Sequence, residues 1–450
     1  MKVLQVPFGF PPDPVGGTEV YVEGLARALR EYGVESVVAA PGSARAYDHH
    51  GLAVRRFEAT SGPIDPAVLY GPGDPVAARA FGRILDEERP DVVHLHAFTP
   101  AVSLRSVEEA RRRDRPVVFT YHTPTVSCMR GTLLRWGAEV CDGALDTARC
   151  AGCALDSLGV ARWLAGPVGR LPTAVGRALG GVGLAGGPWT AARMSALVAA
   201  RHQAVRGLLR SADRVVALGR WTAALLIRLG VPPERLVVSP HGLAWPGAPT
   251  APGPSRPAGR GPRLAALARL DPTKGLDLVI RALRTRPALA VSLDVYGVMA
   301  GQAETRHART LRELASGDSR VSLRPPLAHG EVVGRLREYD ALVVPSRGME
   351  TGPLVVLEAF AAGRPVLGAA RGGIAELVTD GVDGLLVAPD SVAAWTAALE
   401  RLAADPGLLP RLETGVRPPR RMAEVAADMA ELYRGFRSSR PAPLTVEVPV

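Results

Sequence analysis

Short apolar runs alternate with stretches of helical periodicity along the first half of the chain. The run Val3–Val6 predicts a first strand, and residues 18–31 carry apolar side chains near helical spacing, with Thr18 as the predicted helix cap. Five more runs are predicted to be strands: Ser36–Ala40, Val92–Leu95, Val117–Tyr121, Arg214–Ala217 and Val237–Ser239. This alternation favours a parallel sheet that is covered by helices on both faces.

The same alternation returns after residue 262. The predicted strands of this second half are Leu264–Ala268, Val291–Tyr296, Val321–Leu323, Ala341–Val344, Pro365–Gly368 and Gly384–Val387. Between the halves, Pro246–Pro262 has 10 Gly or Pro among its 17 residues, which predicts a linker. We therefore predict an α/β protein with two Rossmann-like domains, residues 1–245 and 263–420, that face a cleft. The amphipathic stretch 421–436 is predicted to be a helix that packs back on the first domain.

The length of 450 residues exceeds what one compact core usually supports, in agreement with two domains. Hydrophobic residues make up 47% of the chain and charged residues 22%, which is an ordinary globular composition. No apolar run reaches 18 residues, and no secretory signal is visible. We expect a cytoplasmic protein, and leave open whether it contacts the membrane surface.

The formal net charge is +10. This excess of Arg has two interpretations, a general Arg-rich composition or attraction to phosphate-bearing ligands and anionic membranes. The basic residues are not interleaved with an aromatic platform, so we expect no nucleic-acid partner.

A strand–loop–helix segment at residues 343–359 carries the strongest chemical pattern. The strand ends at Val344, the loop carries Glu350, and a helix is predicted to open near Pro353, a residue suited to the first helical position. Glu358 follows about one turn into that helix. Free backbone amides at the helix start predict an anion site, and they belong to Gly352, Leu354 and Val355.

Three further segments follow predicted strands. Arg269 and Lys274 flank a turn, and a pair of cations at this spacing suits a diphosphate. Gly16 and Gly17 would let backbone amides approach a phosphate or sugar closely, but they form no Gly-x-Gly-x-x-Gly pattern for a dinucleotide. His122 ends a strand and is expected to face the cleft.

Together these residues resemble glycosyltransferase family 4, whose members are retaining enzymes with the two-domain GT-B fold. The resemblance covers most of the chain, from residue 11 to the last helix. It implies that Glu350 contacts hydroxyls of the transferred sugar and Glu358 the ribose of the nucleotide. It also assigns Arg269 and Lys274 to the diphosphate, Gly16 and Gly17 to the surroundings of the phosphates, and His122 to the reacting end of the sugar.

The function implied is transfer of a sugar from a UDP, GDP, ADP or dTDP donor to a hydroxyl acceptor, either a lipid-linked glycan or a secondary metabolite. No Asp-x-Asp motif is present, so we expect no catalytic metal. Two alternatives remain: an epimerase or phosphorylase of the same fold, and a non-catalytic, membrane-associated subunit that binds sugar nucleotides.

All four cysteines lie in the segment 128–153: Cys128, Cys141, Cys150 and Cys153. Clustered cysteines in a cytoplasmic chain favour metal binding, and four thiolates suit a structural zinc ion that closes a loop without a core of its own. Free thiols, disulfides and an iron–sulfur cluster stay open as alternatives. A bacterial subgroup of the resembled family has a similar insert.

A second predicted insert, residues 157–210, contains seven Arg and no Asp or Glu. Apolar residues that include Trp163 and Trp189 are interspersed among them. This pattern fits a basic amphipathic face on anionic lipid, or equally a helical insert that packs on its own domain with Arg outside.

Overall fold

The computed structural model describes residues 1–13, 16–184, 186–244, 261–298 and 305–438. In chain order the strands are β1 (Lys2–Val6), β2 (Glu35–Pro41), β3 (Arg45–His49), β4 (Leu52–Phe57), β5 (Val92–Leu95), β6 (Val117–Thr120), β7 (Leu134–Arg135), β8 (Glu139–Val140), β9 (Arg214–Ala217), β10 (Leu236–Val238), β11 (Arg263–Arg269), β12 (Ser292–Val298), β13 (Val321–Arg324), β14 (Ala341–Val344), β15 (Val366–Ala369) and β16 (Gly384–Val387).

The α-helices are α1 (Gly17–Ala28), α2 (Pro66–Leu69), α3 (Pro75–Glu88), α4 (Leu104–Arg111), α5 (Thr147–Ser157), α6 (Arg162–Gly169), α7 (Thr173–Gly181), α8 (Gly187–Ser211), α9 (Arg220–Arg228), α10 (Leu276–Arg284), α11 (Arg306–Ala315), α12 (Val332–Leu336), α13 (Leu354–Ala361), α14 (Gly372–Leu377), α15 (Val392–Ala404), α16 (Leu408–Gly415) and α17 (Met422–Ser438). No helix in these described ranges is both long and apolar enough to cross a bilayer.

Two open sheets organise the molecule into two domains. The first has eight strands in the order β10-β9-β6-β5-β1-β2-β4-β3, all parallel except β3, which runs antiparallel to β4. The second has six parallel strands in the order β13-β12-β11-β14-β15-β16. In both sheets the inner strands are almost continuously buried, as parallel strands covered on two faces require.

Alternate residues of the first sheet enter two separate cores. Leu4 packs with Phe81 and Leu208 on one face, whereas its neighbour Val3 packs with Tyr21 on the other. The second sheet has a single large core that includes Trp395, a fully buried side chain.

Helix α17 completes the core of the first domain from the far end of the chain. Met429 and Tyr433 are fully buried in the cluster that contains Tyr21. The Tyr433 hydroxyl lies 2.6 Å from Nδ1 of His94. The segment before this helix runs beside the end of the first domain, where the Leu243 amide donates to the Arg420 carbonyl at 2.8 Å.

Some predicted boundaries differ from the structure. Thr18 does not cap helix α1, because Gly16 is the N-cap and its amide donates to the Glu19 carboxylate at 2.9 Å. The helix ends at Ala28 and continues as a short 3-10 turn rather than to Glu31. Strands β3 and β4 were not predicted, since their exposed and charged positions break the apolar runs. Most of the predicted linker, residues 246–260, lies outside the described residues.

The two inserts of the first domain are structured. The cysteine-rich segment forms the antiparallel hairpin β7–β8 and runs into α5. Helices α5, α6 and α8 share a small apolar cluster that includes Leu155, Ala165 and Met194. The expectation that this region has no core of its own is therefore wrong.

Candidate functional site

Two loops meet at the carboxyl edge of the second sheet, after the neighbouring strands β11 and β14. The amide of Arg347 donates to the Thr273 carbonyl at 2.7 Å, which ties the loops together. Gly275 has φ of +65°, and a Cβ there would lie 2.1 Å from the Pro345 carbonyl oxygen. Only glycine therefore fits where the two loops cross.

Lys274 and Glu350 form an ion pair between these loops, with Nζ 2.7 Å from Oε1. The Ser346 hydroxyl also donates to Oε1 of Glu350. Burial alone would raise the pKa of Glu350, but the opposite charges of Lys274 and Arg269 and these hydrogen bonds hold it below its ordinary value. Glu350 is therefore an ionised acceptor with a fixed orientation.

Arg269 differs from Lys274 in its surroundings. It is exposed at the end of β11, and its guanidinium makes no hydrogen bond or ion pair among the described residues. Its charge nevertheless reaches the Glu350 carboxylate. The edge of the sheet thus offers one unpaired cation beside one that is already paired.

The loop that carries Glu350 is held rigidly by a network of charges. Arg347 binds Asp277 at 2.7 Å and Asp390 at 3.4 Å, and Arg371 binds Asp390 at 2.8 Å. These side chains are mostly half-buried, so the network fixes the loop better than surface ion pairs would.

The same loop is in direct contact with the first domain. The Thr351 hydroxyl donates to the His122 carbonyl at 2.5 Å, and the Met349 amide donates to the carbonyl of Thr132 at 3.0 Å. A Cβ on Gly352 would lie only 2.9 Å from the ring of His241. Glu350 is thus placed at the junction of the two domains.

A further contact between the domains is made by Glu376 of α14. Its carboxylate accepts hydrogen bonds from the backbone amides of Arg220 at 2.9 Å and Trp221 at 2.7 Å. These amides lie in the first turn of α9, so the carboxylate satisfies donors that the helix itself leaves free.

The starts of helices α1 and α13 approach each other across the junction. A Cβ on Gly17 would lie 3.7 Å from a methyl carbon of Leu354. Pro353, predicted to be the first helical residue, is instead the N-cap of α13, so the helix begins one position later at Leu354, and Val355 follows in the first turn. Gly16, Gly17, Gly352, Leu354 and Val355 therefore lie around two helix starts, each of which favours an anion.

Glu358 lies deeper, with only 4% of its surface exposed. Burial raises its pKa to about 7. The Nδ1 atom of His329 is 3.4 Å from its Oε1, and burial lowers the pKa of this imidazole, so it is neutral at physiological pH. The two glutamates of the motif are thus opposite in character, since Glu350 is held ionised and Glu358 is close to half-protonated at neutral pH.

His122 belongs to a cluster of buried histidines instead of standing open in the cleft. Its Nε2 lies 3.0 Å from Nδ1 of His96, and its ring packs 4.8 Å from that of Tyr21 and 5.9 Å from that of His241. Burial lowers the pKa of His241 to about 4 and that of His122 well below its ordinary value. These imidazoles are neutral at physiological pH.

The four cysteines surround one small cavity of about 30 Å³. All four are unpaired thiols. Burial and the neighbouring thiols Cys141 and Cys128 raise the pKa of Cys150 to about 12. The hairpin that they flank includes Leu134, close to Thr132, which contacts the Glu350 loop. Among the described residues, the one group of three or more side chains whose metal-ligating atoms all lie within 4.8 Å of one another is Glu23, His49 and His50, and the Arg27 guanidinium contacts two of them.

Several residues of this site were missed from the sequence: Ser346, Thr351, His96, His241, His329 and Glu376. Ser346 and Thr351 flank Glu350 closely, and short hydroxyl side chains beside a buried acid are a usable signal. His96 directly follows strand β5 of the first sheet, much as His122 follows β6. Nothing local distinguishes His329 or Glu376, whose partners lie far away along the chain.

Two family models match the chain. Residues 16–242 match a model described as glycosyl transferase 4-like domain, and residues 261–405 match one described as glycosyl transferases group 1. The chain belongs to this glycosyltransferase family. The first match covers every strand of the eight-stranded sheet except β1, and the second match covers all strands of the six-stranded sheet.

Curated relatives and solved structures agree with this assignment. This glycosyltransferase is 29% identical to D-inositol 3-phosphate glycosyltransferase of Xylanimonas cellulosilytica, over 95% of this chain and 93% of the relative. It is 30% identical to the enzyme of the same name from Acidothermus cellulolyticus, over 89% and 80%.

Solved structures with the same fold include sucrose-phosphate synthase from Thermosynechococcus elongatus, with a TM-score of 0.68 and 20% identity, covering 98% of this chain and 100% of that one. Anabaena HepE in complex with UDP and glucose has a TM-score of 0.63 and 17% identity, with coverage of 98% and 100%. The predicted GT-B architecture is confirmed, and the predicted alternatives of an epimerase, a phosphorylase or a binding subunit gain no support.

Proposed function

We propose that this glycosyltransferase moves a sugar from a nucleotide diphosphate donor to a hydroxyl acceptor with retention of configuration. The observation that carries the proposal is the Lys274–Glu350 ion pair beside the unpaired Arg269, at two facing helix starts. This arrangement combines cations and amides for a diphosphate with a fixed carboxylate for sugar hydroxyls.

The diphosphate would lie between Arg269, Lys274 and the amides of Leu354 and Val355. Negative charge grows on the departing diphosphate as the bond to the sugar breaks, and fixed cations and amides stabilise it most at that point. When the donor binds, the Lys274 ammonium would be shared between Glu350 and the phosphate. The Arg269 guanidinium makes no ion pair with any described residue and can bind the phosphate directly.

Glu350 would accept hydrogen bonds from hydroxyls of the sugar, because its lowered pKa keeps it ionised. Glu358 would accept hydrogen bonds from the ribose hydroxyls, which replace the water that its burial excludes. His122, as a neutral imidazole, would contact the sugar near its reacting carbon without supplying a charge.

Retention follows if the acceptor hydroxyl attacks on the face that the diphosphate leaves. The bond between the anomeric carbon and the diphosphate oxygen breaks, the bond to the acceptor oxygen forms, and the acceptor proton passes to the leaving phosphate. This route needs no protein nucleophile and no catalytic metal, and we assign neither.

The first experiment is a thermal-shift panel of UDP-, GDP-, ADP- and dTDP-sugars with the purified protein. We expect one nucleotide to raise the melting temperature, and the shift to be lost in Arg269→Ala but kept in the matched surface variant Arg401→Ala. The proposal fails if no donor shifts the protein, or if Arg269→Ala responds as the wild type does.

The acceptor requires a separate assay with the donor so identified. Inositol 3-phosphate belongs in the acceptor panel because relatives are named for it, beside lipid-linked and small hydroxyl acceptors. The configuration of the new bond, measured by NMR, tests retention directly, and an inverted product would contradict that part of the proposal.

We also propose that the four cysteines hold a structural zinc ion. Four thiols around one small cavity are the donor set that zinc prefers, and 30 Å³ exceeds the space that a single water requires. No three of the four sulfur atoms all lie within 4.8 Å of one another, whereas the sulfurs of a closed tetrahedral site are roughly 3.8 Å apart. Zinc would therefore draw them together, with Cys128, Cys141, Cys150 and Cys153 as its ligands.

A further inference from the structure

The insert between the cysteine hairpin and helix α8 exposes an unusual amount of apolar surface. Six of the fourteen large apolar side chains that are exposed in the described part of the chain lie within residues 158–189. These six, which we call the insert surface, are Leu158, Trp163, Leu164, Val175, Val182 and Trp189. Trp163 is 79% exposed and Val182 is 73% exposed, so neither contributes much to packing within the domain.

The exposed apolar residues are not needed for the fold of the insert. Helices α5, α6 and α8 already have their own apolar cluster, in which Ala165 and Met194 are fully buried. Helix α7 packs closely on α8, since a Cβ on Gly176 would lie 2.8 Å from the methyl of Ala196. The insert surface therefore faces outward from a structure that is complete without it.

The charged side chains within the insert itself have a single sign, and Asp156 lies at its edge. Residues 157–210 contain seven Arg and no Asp or Glu. Arg170 and Arg177 are exposed and form no ion pair or hydrogen bond with any residue that the structure describes. Arg162, in contrast, forms an ion pair with Asp156 and donates a hydrogen bond to the carbonyl of Trp136, so its charge is used within the domain.

We propose that the insert surface binds an anionic lipid bilayer. Exposed tryptophans prefer the interface between water and acyl chains, and unpaired Arg side chains next to them bind lipid phosphates. A charged protein partner would select the same cations, but it does not by itself require apolar side chains as exposed as Trp163 and Val182. Short amphipathic elements with a cationic rim are typical of proteins that lie on a membrane.

The position of the insert surface connects it to the acceptor side of the cleft. Trp189 and Arg201 both lie on α8, twelve residues or about 18 Å apart along its axis. The guanidinium of Arg201 donates to the carbonyls of Thr125 at 3.0 Å and Phe98 at 3.4 Å, in the loops that follow β6 and β5. A bilayer on the insert surface would thus lie near the carboxyl edge of the first sheet. Resting on the proposed function, this geometry favours a lipid-linked hydroxyl acceptor over a small one.

The test is co-sedimentation of the full chain with vesicles of phosphatidylcholine alone and with added phosphatidylglycerol. We expect binding to the anionic vesicles at least tenfold tighter, weakened by salt, with a blue shift of tryptophan fluorescence as Trp163 leaves water. Arg170→Glu with Arg177→Glu should lower binding roughly tenfold or more. Trp163→Ser with Val182→Ser should lower binding roughly tenfold or more and reduce the blue shift to the part that Trp189 contributes.

The matched control changes one exposed apolar residue and one exposed Arg outside the insert, Ile227→Ser with Arg228→Glu on α9, and should bind vesicles as the wild type does. Equal binding to neutral and anionic vesicles, no binding to either, or equal losses in the control would overturn the proposal. So would self-association without lipid that the Trp163 variant abolishes, because a second copy would then be the occupant. Circular dichroism verifies that the variants fold. The nucleotide thermal shift is measured in parallel, so failure of lipid binding with an intact shift leaves the donor proposal standing.

Discussion

The two domains contribute to the site in different ways. The second domain places Arg269, Lys274 and Glu350 at one sheet edge from two short contiguous segments. The first domain contributes through single residues far apart in the sequence, such as Gly17, Thr132 and His241, which touch the Glu350 loop mostly by backbone or packing contacts. Charge is therefore concentrated in one domain and positioning in the other.

The largest expected effect tests the charge of the second domain. Glu350→Ala and Lys274→Ala should each lower transfer on the order of 100-fold, as removal of one charge-stabilising group does in other enzymes. Steady-state kinetics with the identified donor measure this. The control Glu338→Ala removes only an exposed carboxylate paired with Arg335, and it should have almost no effect. Near-normal turnover in both site variants would contradict the assignment.

The second effect concerns the first domain. Removal of zinc by a chelator, or Cys150→Ser, should lower the melting temperature by on the order of 10 °C, because the thiols would no longer close the hairpin. Turnover should also fall, since the hairpin supports Thr132 against Met349. A metal analysis of the purified protein is the control. An unchanged melting curve after confirmed metal loss would exclude a structural role.

The third effect distinguishes the two glutamates by pH. The pKa of Glu358 is raised from 4.5 to about 7, so between these values the folded protein keeps a proton that the unfolded chain has released. The stability from this group is complete below pH 4.5 and is lost as the pH rises through 7. Glu358→Gln cannot ionise, so relative to the wild type it should gain on the order of 3 kcal/mol between pH 4.5 and pH 8.

Urea unfolding at the two pH values measures this difference in the free energy of unfolding. Glu338→Gln provides an exposed carboxylate for comparison and should show little change relative to the wild type. A Glu358→Gln curve parallel to that of the wild type would show that Glu358 is ionised throughout.

The smallest expected effect concerns Glu376, whose carboxylate links the two domains through hydrogen bonds to the start of α9. Glu376→Gln keeps the shape of the side chain but weakens its two hydrogen bonds to the start of α9. We expect about a tenfold loss in kcat/KM, corresponding to about 1.4 kcal/mol. Small-angle scattering should show a more open molecule. Full activity with unchanged scattering would show that this contact does not hold the domains together.

The sequence was sufficient for the parts of the site that are local. Most strand positions followed from apolar runs, and the motif around Glu350 stood out because strand, loop and helix start follow one another directly. Strand β3 lies at the sheet edge and β4 next to it, and both were missed because charged residues such as Arg45 and Arg56 interrupt the apolar pattern. The contacts of Thr351 with His122 and of Glu376 with α9 depend on how two domains meet. No periodicity or spacing within one segment specifies such a meeting.

The crossings between the domains limit how this enzyme can open. One segment leaves the first domain at Leu243 and another returns at Met422, and the two are joined by hydrogen bonds of 2.8 and 2.9 Å. Two adjacent tethers suppress twisting and leave one easy axis of rotation between the domains. Opening about that axis would separate Thr351 from His122 and Gly352 from His241 in a single movement. The movement that releases the product would then also take the assembled site apart.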